Sequence, residues 1–285
     1  MKTRYRWPHY LGSLLVSCSL CLSWAWAAPP EVVHLHFGIV PQQSVTVLAS
    51  LWTPLLAYLS ERTGYDLQFA TAKDIPTFEA RLAAGEYDLA YMNPYHYSVF
   101  HRQPGYQVFA KEKDRKLQGV VVVRKDSPVQ AIAELAGKTL AFPAPAAFAA
   151  TVLPLAQFQE AGISVTPRYV ASHDSVYLAV AKGLYPAGGG VQRTLGNTDP
   201  AVRDNLRVLW STRPYTPHAF AAHPRIESGV VASLLAVMVA ATEDPAGRER
   251  LAALDIKGLS GAVDSEYDEV RNLPIDVLKH LLDSP

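Results

Sequence analysis

Polar and apolar residues alternate along His34-Leu35-His36-Phe37-Gly38-Ile39-Val40 and stop at Pro41, the two-residue period of a half-buried strand. Beyond it the period lengthens. Val47, Leu48, Leu51, Trp52, Leu55, Leu56 and Leu59 recur at steps of three and four, which predicts an amphipathic helix closing near Thr63-Gly64, with Pro54 as the place for a kink. Asp66-Leu67-Gln68-Phe69-Ala70 predicts a second strand, 75–84 a second helix and Tyr87-Asp88-Leu89-Ala90-Tyr91-Met92 a third strand. The β-branched run Gly119-Val120-Val121-Val122-Val123 opens another series. In it follow a turn at 132–135, a strand at 139–142, a helix over 147–161, a strand at 168–170, a helix over 175–182, the segment Pro186-Ala187-Gly188-Gly189-Gly190-Val191 and a strand at 206–210. From Val230 the pattern is helical to the end. The reading is two α/β lobes followed by C-terminal helices.

The first segment of the 285-residue chain is set apart from this pattern. Lys2, Arg4 and Arg6 precede an apolar stretch at 11–22, and Ala25-Trp26-Ala27 supplies small residues for a cut after Ala27, so 1–27 reads as a secretory signal peptide. Removing its three basic residues from a chain with 26 basic and 26 acidic side chains leaves 258 residues with a formal charge of −3. That balance excludes the broad basic surface of a nucleic-acid-binding protein. No later stretch offers the apolar length of a membrane span. Both cysteines, Cys18 and Cys21, fall in the leader, which removes disulfides and thiolate chemistry from the mature chain. Leu15-Val16-Ser17-Cys18 also resembles a lipoprotein box, with lipid on Cys18 as the alternative to an unanchored protein in the periplasm.

Ligands of open α/β sheets bind beyond the carboxyl ends of strands, which singles out 41–44, 93–97, 143–147, 172–175 and 215–218. Ser172-His173-Asp174-Ser175 is no catalytic triad, because sequence neighbours cannot converge as nucleophile, base and orienter, and the chain has no G-x-S-x-G elbow. One of its members caps a helix instead. Gly137-Lys138-Thr139 lacks the first glycine of a phosphate loop, where Ile132 stands. Gly188-Gly189-Gly190 lacks dinucleotide spacing and reads as a tight turn or a close backbone approach. The nine histidines show no zincin spacing, and no cofactor or metal is expected.

Together the segments resemble a known family. Phe37-Gly38-Ile39-Val40-Pro41-Gln42-Gln43, Trp52-x-Pro54-Leu55, Gly85-Glu86-Tyr87-Asp88-Leu89-Ala90, Asn93-Pro94, Gly137-Lys138-Thr139-Leu140-Ala141-Phe142 and Ser172-His173-Asp174-Ser175-Val176 are similar, in that order, to periplasmic binding proteins for phosphate, phosphite and phosphonate. The resemblance implies an α/β type II periplasmic binding protein: two lobes, 28–118 with 217–285 and 119–216, joined by a hinge of two crossing strands near 117–123 and 213–222. It implies capture of a small oxyanion for an ABC permease, by a monomer that performs no chemistry. The alternative is a module presenting an oxyanion to a membrane sensor kinase, because 93–97 also resembles the arsenic-sensing branch.

In the family an oxyanion sits on backbone amides at a helix N-terminus, aided by serine and threonine hydroxyls. Here the family's Ser-Thr-Ser aligns with Ala147-Phe148-Ala149, leaving Thr151 as the turn's hydroxyl, and Pro186 replaces an acidic residue. The expected lining is the amides of Ala147, Phe148 and Ala149 with Asn93, Tyr95, His96, Tyr97, His173 and Ser175, and Tyr177 beside them. Phe148 narrows the site. Gln43 and Ser44 are contacts or helix caps, and Tyr215 and His218 belong to the ligand shell or to the hinge. If 93–97 is extended, Tyr95 and Tyr97 face opposite ways and one of them packs into its lobe.

Overall fold

The computed structural model describes residues 32–282 together with Met1 and Thr3. The leader, its cut after Ala27 and the lipid alternative at Cys18 lie outside the described residues.

The first strand, β1 (His34–Ile39), buries Leu35 and Phe37 and exposes His34 and His36, as the alternation requires. α1 (Val45–Thr63) starts on Ser44, whose side chain accepts from the Val47 amide, and stops at Gly64, where φ is 77° and the amide donates back to Ser60. Pro54 stands inside α1 on its solvent side without dividing it. β2 (Asp66–Ala70), α2 (Ile75–Ala83) and β3 (Leu89–Met92) complete the βαβαβ series read from the sequence. Three further elements then appear that the pattern did not reveal: α3 (Pro94–Phe100), β4 (Gln107–Glu112) and, later in the chain, β10 (Ala219–Ala222).

β5 (Gly119–Arg124) begins the second sheet, with β6 (Thr139–Phe142), β7 (Thr166–Tyr169), β8 (Ala187–Val191) and β9 (Leu206–Ser211). Between them lie a π-helical turn at Phe148–Val152, α4 (Leu153–Glu160), α5 (His173–Ala181), α6 (Gln192–Gly196) and α7 (Pro200–Arg203). After β10 come α8 (Ser228–Ala240), α9 (Pro245–Ala253), β11 (Leu259–Gly261) and two short helices, α10 (Asp268–Arg271) and α11 (Lys279–Leu282). The C-terminal stretch is therefore not helical throughout: β11 interrupts it, paired antiparallel with β4. Among the described residues no single helix is long and apolar enough to cross a membrane.

Strand order is β11-β4-β10-β3-β1-β2 in one sheet and β7-β6-β8-β5-β9 in the other. β1 runs parallel to β2 and β3, while β10 pairs antiparallel with both β3 and β4. The chain passes between the sheets twice, after β4 and after β9. These passages pair with each other through Leu117 and Tyr215, whose amides donate to each other's carbonyls at 2.8 and 2.9 Å. These two passages, joined by one antiparallel bridge, are the hinge.

Alternation on β5 fills both faces of the second sheet. Val120 and Val122 pack with Val176, Tyr177 and Val180 of α5, and Val121 and Val123 pack with Leu140, Phe142 and Phe158 on the α4 side. The first sheet has a larger core, which includes Phe148, Ala149, Val152 and Val191 from the second lobe. Apolar packing is continuous across the seam.

Candidate functional site

Chain segments following β1, β3, β6, β7 and β8 meet along that seam, each fixed by its own helix start. After β1, the Gln42 carbonyl accepts the His173 amide at 3.0 Å, and the Gln42 side chain lies 3.4 Å from His218 Nε2. Gln43 Nε2 and the Ser44 amide both donate to the Asp174 carboxylate at 3.2 Å, so an acid in the first turn of α5 reaches the N-terminus of α1. After β3, Asn93 Oδ1 accepts the His96 amide at 2.7 Å, starting α3, and its Nδ2 crosses the seam to the Ala146 carbonyl at 3.2 Å. After β7, Ser172 caps α5 through the Ser175 amide at 3.1 Å. After β8, Arg193 reaches the opposite sheet: Nη1 donates to the Tyr91 hydroxyl at 2.7 Å and Nη2 to both Glu112 oxygens at 2.5 Å.

The π-helical turn sits where the family's hydroxyl-rich turn was expected. Its shape follows from two glycines. A Cβ on Gly119 would lie 1.8 Å from the Ala149 carbonyl oxygen and one on Gly189 would lie 1.9 Å from that of Ala150, so the turn rests directly on strand backbone. Gly188-Gly189-Gly190 is thus a close-approach strand rather than a tight turn. Phe148, 1% exposed, stands edge-on to Tyr215 with ring centroids 5.6 Å apart.

The electrostatics at the seam are those of buried neutral imidazoles beside a buried ion pair. His173 is 1% exposed, its Nδ1 lies 3.0 Å from Thr194 Oγ1, and burial pushes its pKa down to about 3. His218 stacks on Tyr91 at 4.9 Å; burial first, and then the Arg193 charge, pushes it well below 6.5.

The sequence-derived site comes together only in part. Asn93, Ala147, Phe148, Ala149, His173 and His218 line one small cavity. Its volume is about 10 Å³, at the lower limit for a single water, so Phe148 and the alanines fill the place where an oxyanion was expected. Tyr95 and Tyr97 are turned away from it, because 93–97 is the start of a helix and not an extended loop. The Tyr95 hydroxyl accepts the Leu278 amide at 3.1 Å, and Tyr97 donates to Asp264 at 2.8 Å while packing on Tyr267. Both tyrosines hold the C-terminal segment onto the first lobe. His96 is fully buried against Glu79, with Nε2 2.9 Å from the carboxylate. Ser175 is taken up by Ser172, and the Tyr177 hydroxyl by Val191 and Thr194, inside the second lobe. Gln43 and Ser44 tie the two lobes through Asp174, and Tyr215 belongs to the hinge.

Sequence reasoning also missed residues. A second cavity of about 240 Å³ adjoins the first and shares Gln42, Val191 and His218 with it. Its walls add Glu112, Arg115, Lys116 and Arg193. The signal for Arg193 was available, since it follows the carboxyl end of β8, a position equivalent to those singled out elsewhere. Glu112, Arg115 and Lys116 lead into the hinge, and no local pattern places them at the seam. Among the described residues no three His, Cys, Asp or Glu side chains converge as metal ligands.

Two α/β lobes on a two-strand hinge, with post-strand segments facing each other across a seam, define a type II periplasmic binding protein. The chain belongs to the family described as ABC transporter, phosphonate, periplasmic substrate-binding protein, whose sequence model matches residues 37–267. It is a solute-binding component of an ABC importer, a family of transport proteins that work with a membrane permease. A curated relative is the phosphate-import protein PhnD of Mycolicibacterium smegmatis, 23% identical over 237 residues, covering 72% of this chain and 70% of that one. Among solved structures, PhnD1 from Prochlorococcus marinus in complex with methylphosphonate matches with a TM-score of 0.76 at 18% identity, over 88% of this chain and 99% of that one. The binding-protein component of an ABC phosphonate transporter from Pseudomonas aeruginosa matches with a TM-score of 0.75 at 16% identity, over 89% and 95%. The relatives' names speak for import, and the sensor-kinase alternative finds no support in them.

Proposed function

We propose that this protein captures a small phosphorus oxyanion of the phosphate, phosphite or phosphonate type between its lobes and releases it unchanged to a permease. The observation that carries the reading is the convergence of five post-strand segments on one seam between two α/β lobes, where the buried imidazoles of His173 and His218 are neutral and set no negative charge against an incoming anion. The relatives support the ligand class: one is named for phosphate import and another was solved with methylphosphonate. The lobes are taken as 28–118 with 217–285 and 119–216. The mature protein is a periplasmic monomer released by a cut after Ala27, and it carries out no reaction.

Titration calorimetry on residues 28–285 tests this. Saturable heat is expected from at least one of phosphate, phosphite and methylphosphonate. Heat from a neutral sugar or amino acid with none from any of the three anions would reject the reading.

A further inference from the structure

Two of the contacts that cross the seam set a carboxylate of one lobe on a positive group of the other. Asp174, in the first turn of α5, accepts from the Ser44 amide at the start of α1. Glu112, the last residue of β4, accepts from Nη2 of Arg193 through both oxygens at 2.5 Å, while Nη1 of that guanidinium holds the Tyr91 hydroxyl. Glu112 is 3% exposed, and a second cation stands within its reach. Arg115, three residues further along, has its Nε 3.7 Å away. Two bonds to Asp255, one to its carbonyl at 2.7 Å and one to its carboxylate at 2.8 Å, fix Arg115 to the turn between α9 and β11.

We propose that Glu112 is a two-position latch: it holds Arg193 when the jaws are shut, with no solute between them, and passes to Arg115 when they part. The protein then closes on itself, and solute enters during openings that the latch controls.

Burial of the pair explains why a second partner is needed. A buried carboxylate stripped of its counter-ion is strongly unfavourable, so Glu112 and Arg193 by themselves would resist opening. Arg115 removes that obstacle for Glu112, because it takes up the carboxylate from the same side of the seam. Water removes it for Arg193, which leaves the seam charged and becomes hydrated. Each charge is therefore paired or solvated in both states, and the hand-over biases one two-state motion without stranding an ion.

Packing supports closure without a guest. Phe148, Ala149, Val152 and Val191 of the second lobe belong to the apolar core of the first, and Ile75 of the first packs with Ala144, Ala147 and Ala150 of the second. These side chains leave about 10 Å³ at the expected anion site, so the seam is completed by the protein's own residues. Apolar attraction is non-directional, and the ion pair adds the register in which the jaws meet. One amide reports on this state directly. The His173 N–H donates to the Gln42 carbonyl across the seam at 3.0 Å, so its exchange with solvent deuterium follows the parting of the jaws.

Hydrogen exchange followed by NMR on solute-free residues 28–285 tests this, with the amides of β5, a strand paired on both sides, as the reading of global stability. In the wild type the His173 amide should exchange about a hundredfold or more slower than an unprotected one. Arg193→Gln/Glu112→Gln removes both charges of the closed pair together and should cut that protection about tenfold relative to β5. Arg115→Gln removes the open-state partner and should raise it about threefold. Arg225→Gln, which breaks a pair to Asp88 inside the first lobe, should change neither reading. An unprotected His173 amide in the wild type would overturn closure without solute. Unchanged protection in the double variant, or a loss in step with that of β5, would overturn the latch, and unchanged or lowered protection in Arg115→Gln would overturn the hand-over. None of these outcomes depends on which solute is bound, so the calorimetry above decides the anion reading separately.

Discussion

At position 173 the chain buries an imidazole whose folded-state pKa is pushed down to about 3, and His218 is depressed in the same direction. In the unfolded chain both titrate near 6.5. Below that pH the unfolded state takes up protons that the folded state refuses, so stability is complete above pH 6.5 and is lost as pH falls toward 3. Each histidine contributes a slope of at most about 1.4 kcal/mol per pH unit. The urea midpoint of the protein should therefore fall between pH 7 and pH 5, a window that lies above the titration of the carboxylates. His173→Asn should have a shallower fall; an equal fall in the variant would show that His173 does not carry the effect. His173 was legible as a site candidate because it opens a helix after a strand. Its neutrality was not, because burial is a property of everything packed around it.

Among the elements, the π-helical turn depends most on contacts remote in sequence. The helical period over 147–161 was readable, but its first turn widens because the carbonyls of Ala149 and Ala150 lie on the backbone of Gly119 and Gly189. Gly189→Ala should cost about 1–3 kcal/mol in denaturant unfolding through overpacking, and the displaced turn should weaken solute binding in calorimetry. Unchanged stability would mean that the turn moves freely on the strand. α3 teaches the complementary lesson. Asn93-Pro94 is a helix-start signal, with a capping side chain followed by proline at the first position. An extended 93–97 would turn Tyr95 and Tyr97 to opposite faces, whereas helical spacing and the packing of 264–278 hold both in the first lobe.

For the whole molecule, a few polar contacts join the lobes beside the apolar packing that runs across the seam. Asp174 binds Gln43 and Ser44, Asn93 binds Ala146, and Arg193 binds Glu112 and Tyr91. Asp174 is half-buried, so its loss should shift the balance of open and closed forms more than it harms the fold. Small-angle scattering of Asp174→Ala should give a larger radius of gyration than the wild type without solute, with the difference removed by a saturating ligand. Melting should change by no more than about 1 kcal/mol, as for other partly exposed polar contacts. Identical scattering curves would show that these bonds do not hold the jaws.

The sequence by itself determined the alternation of strands and helices and the order of motifs that marks the family. Each of these is written in local periodicity, composition or short spacing. Tertiary structure alone decided which post-strand residues face the seam, that Phe148 fills the expected anion site, and that Arg193 meets Glu112 across 81 positions of chain. The physical reason is that a side chain's direction and its field are set by the packing of distant elements, and nothing in a run of neighbours encodes them.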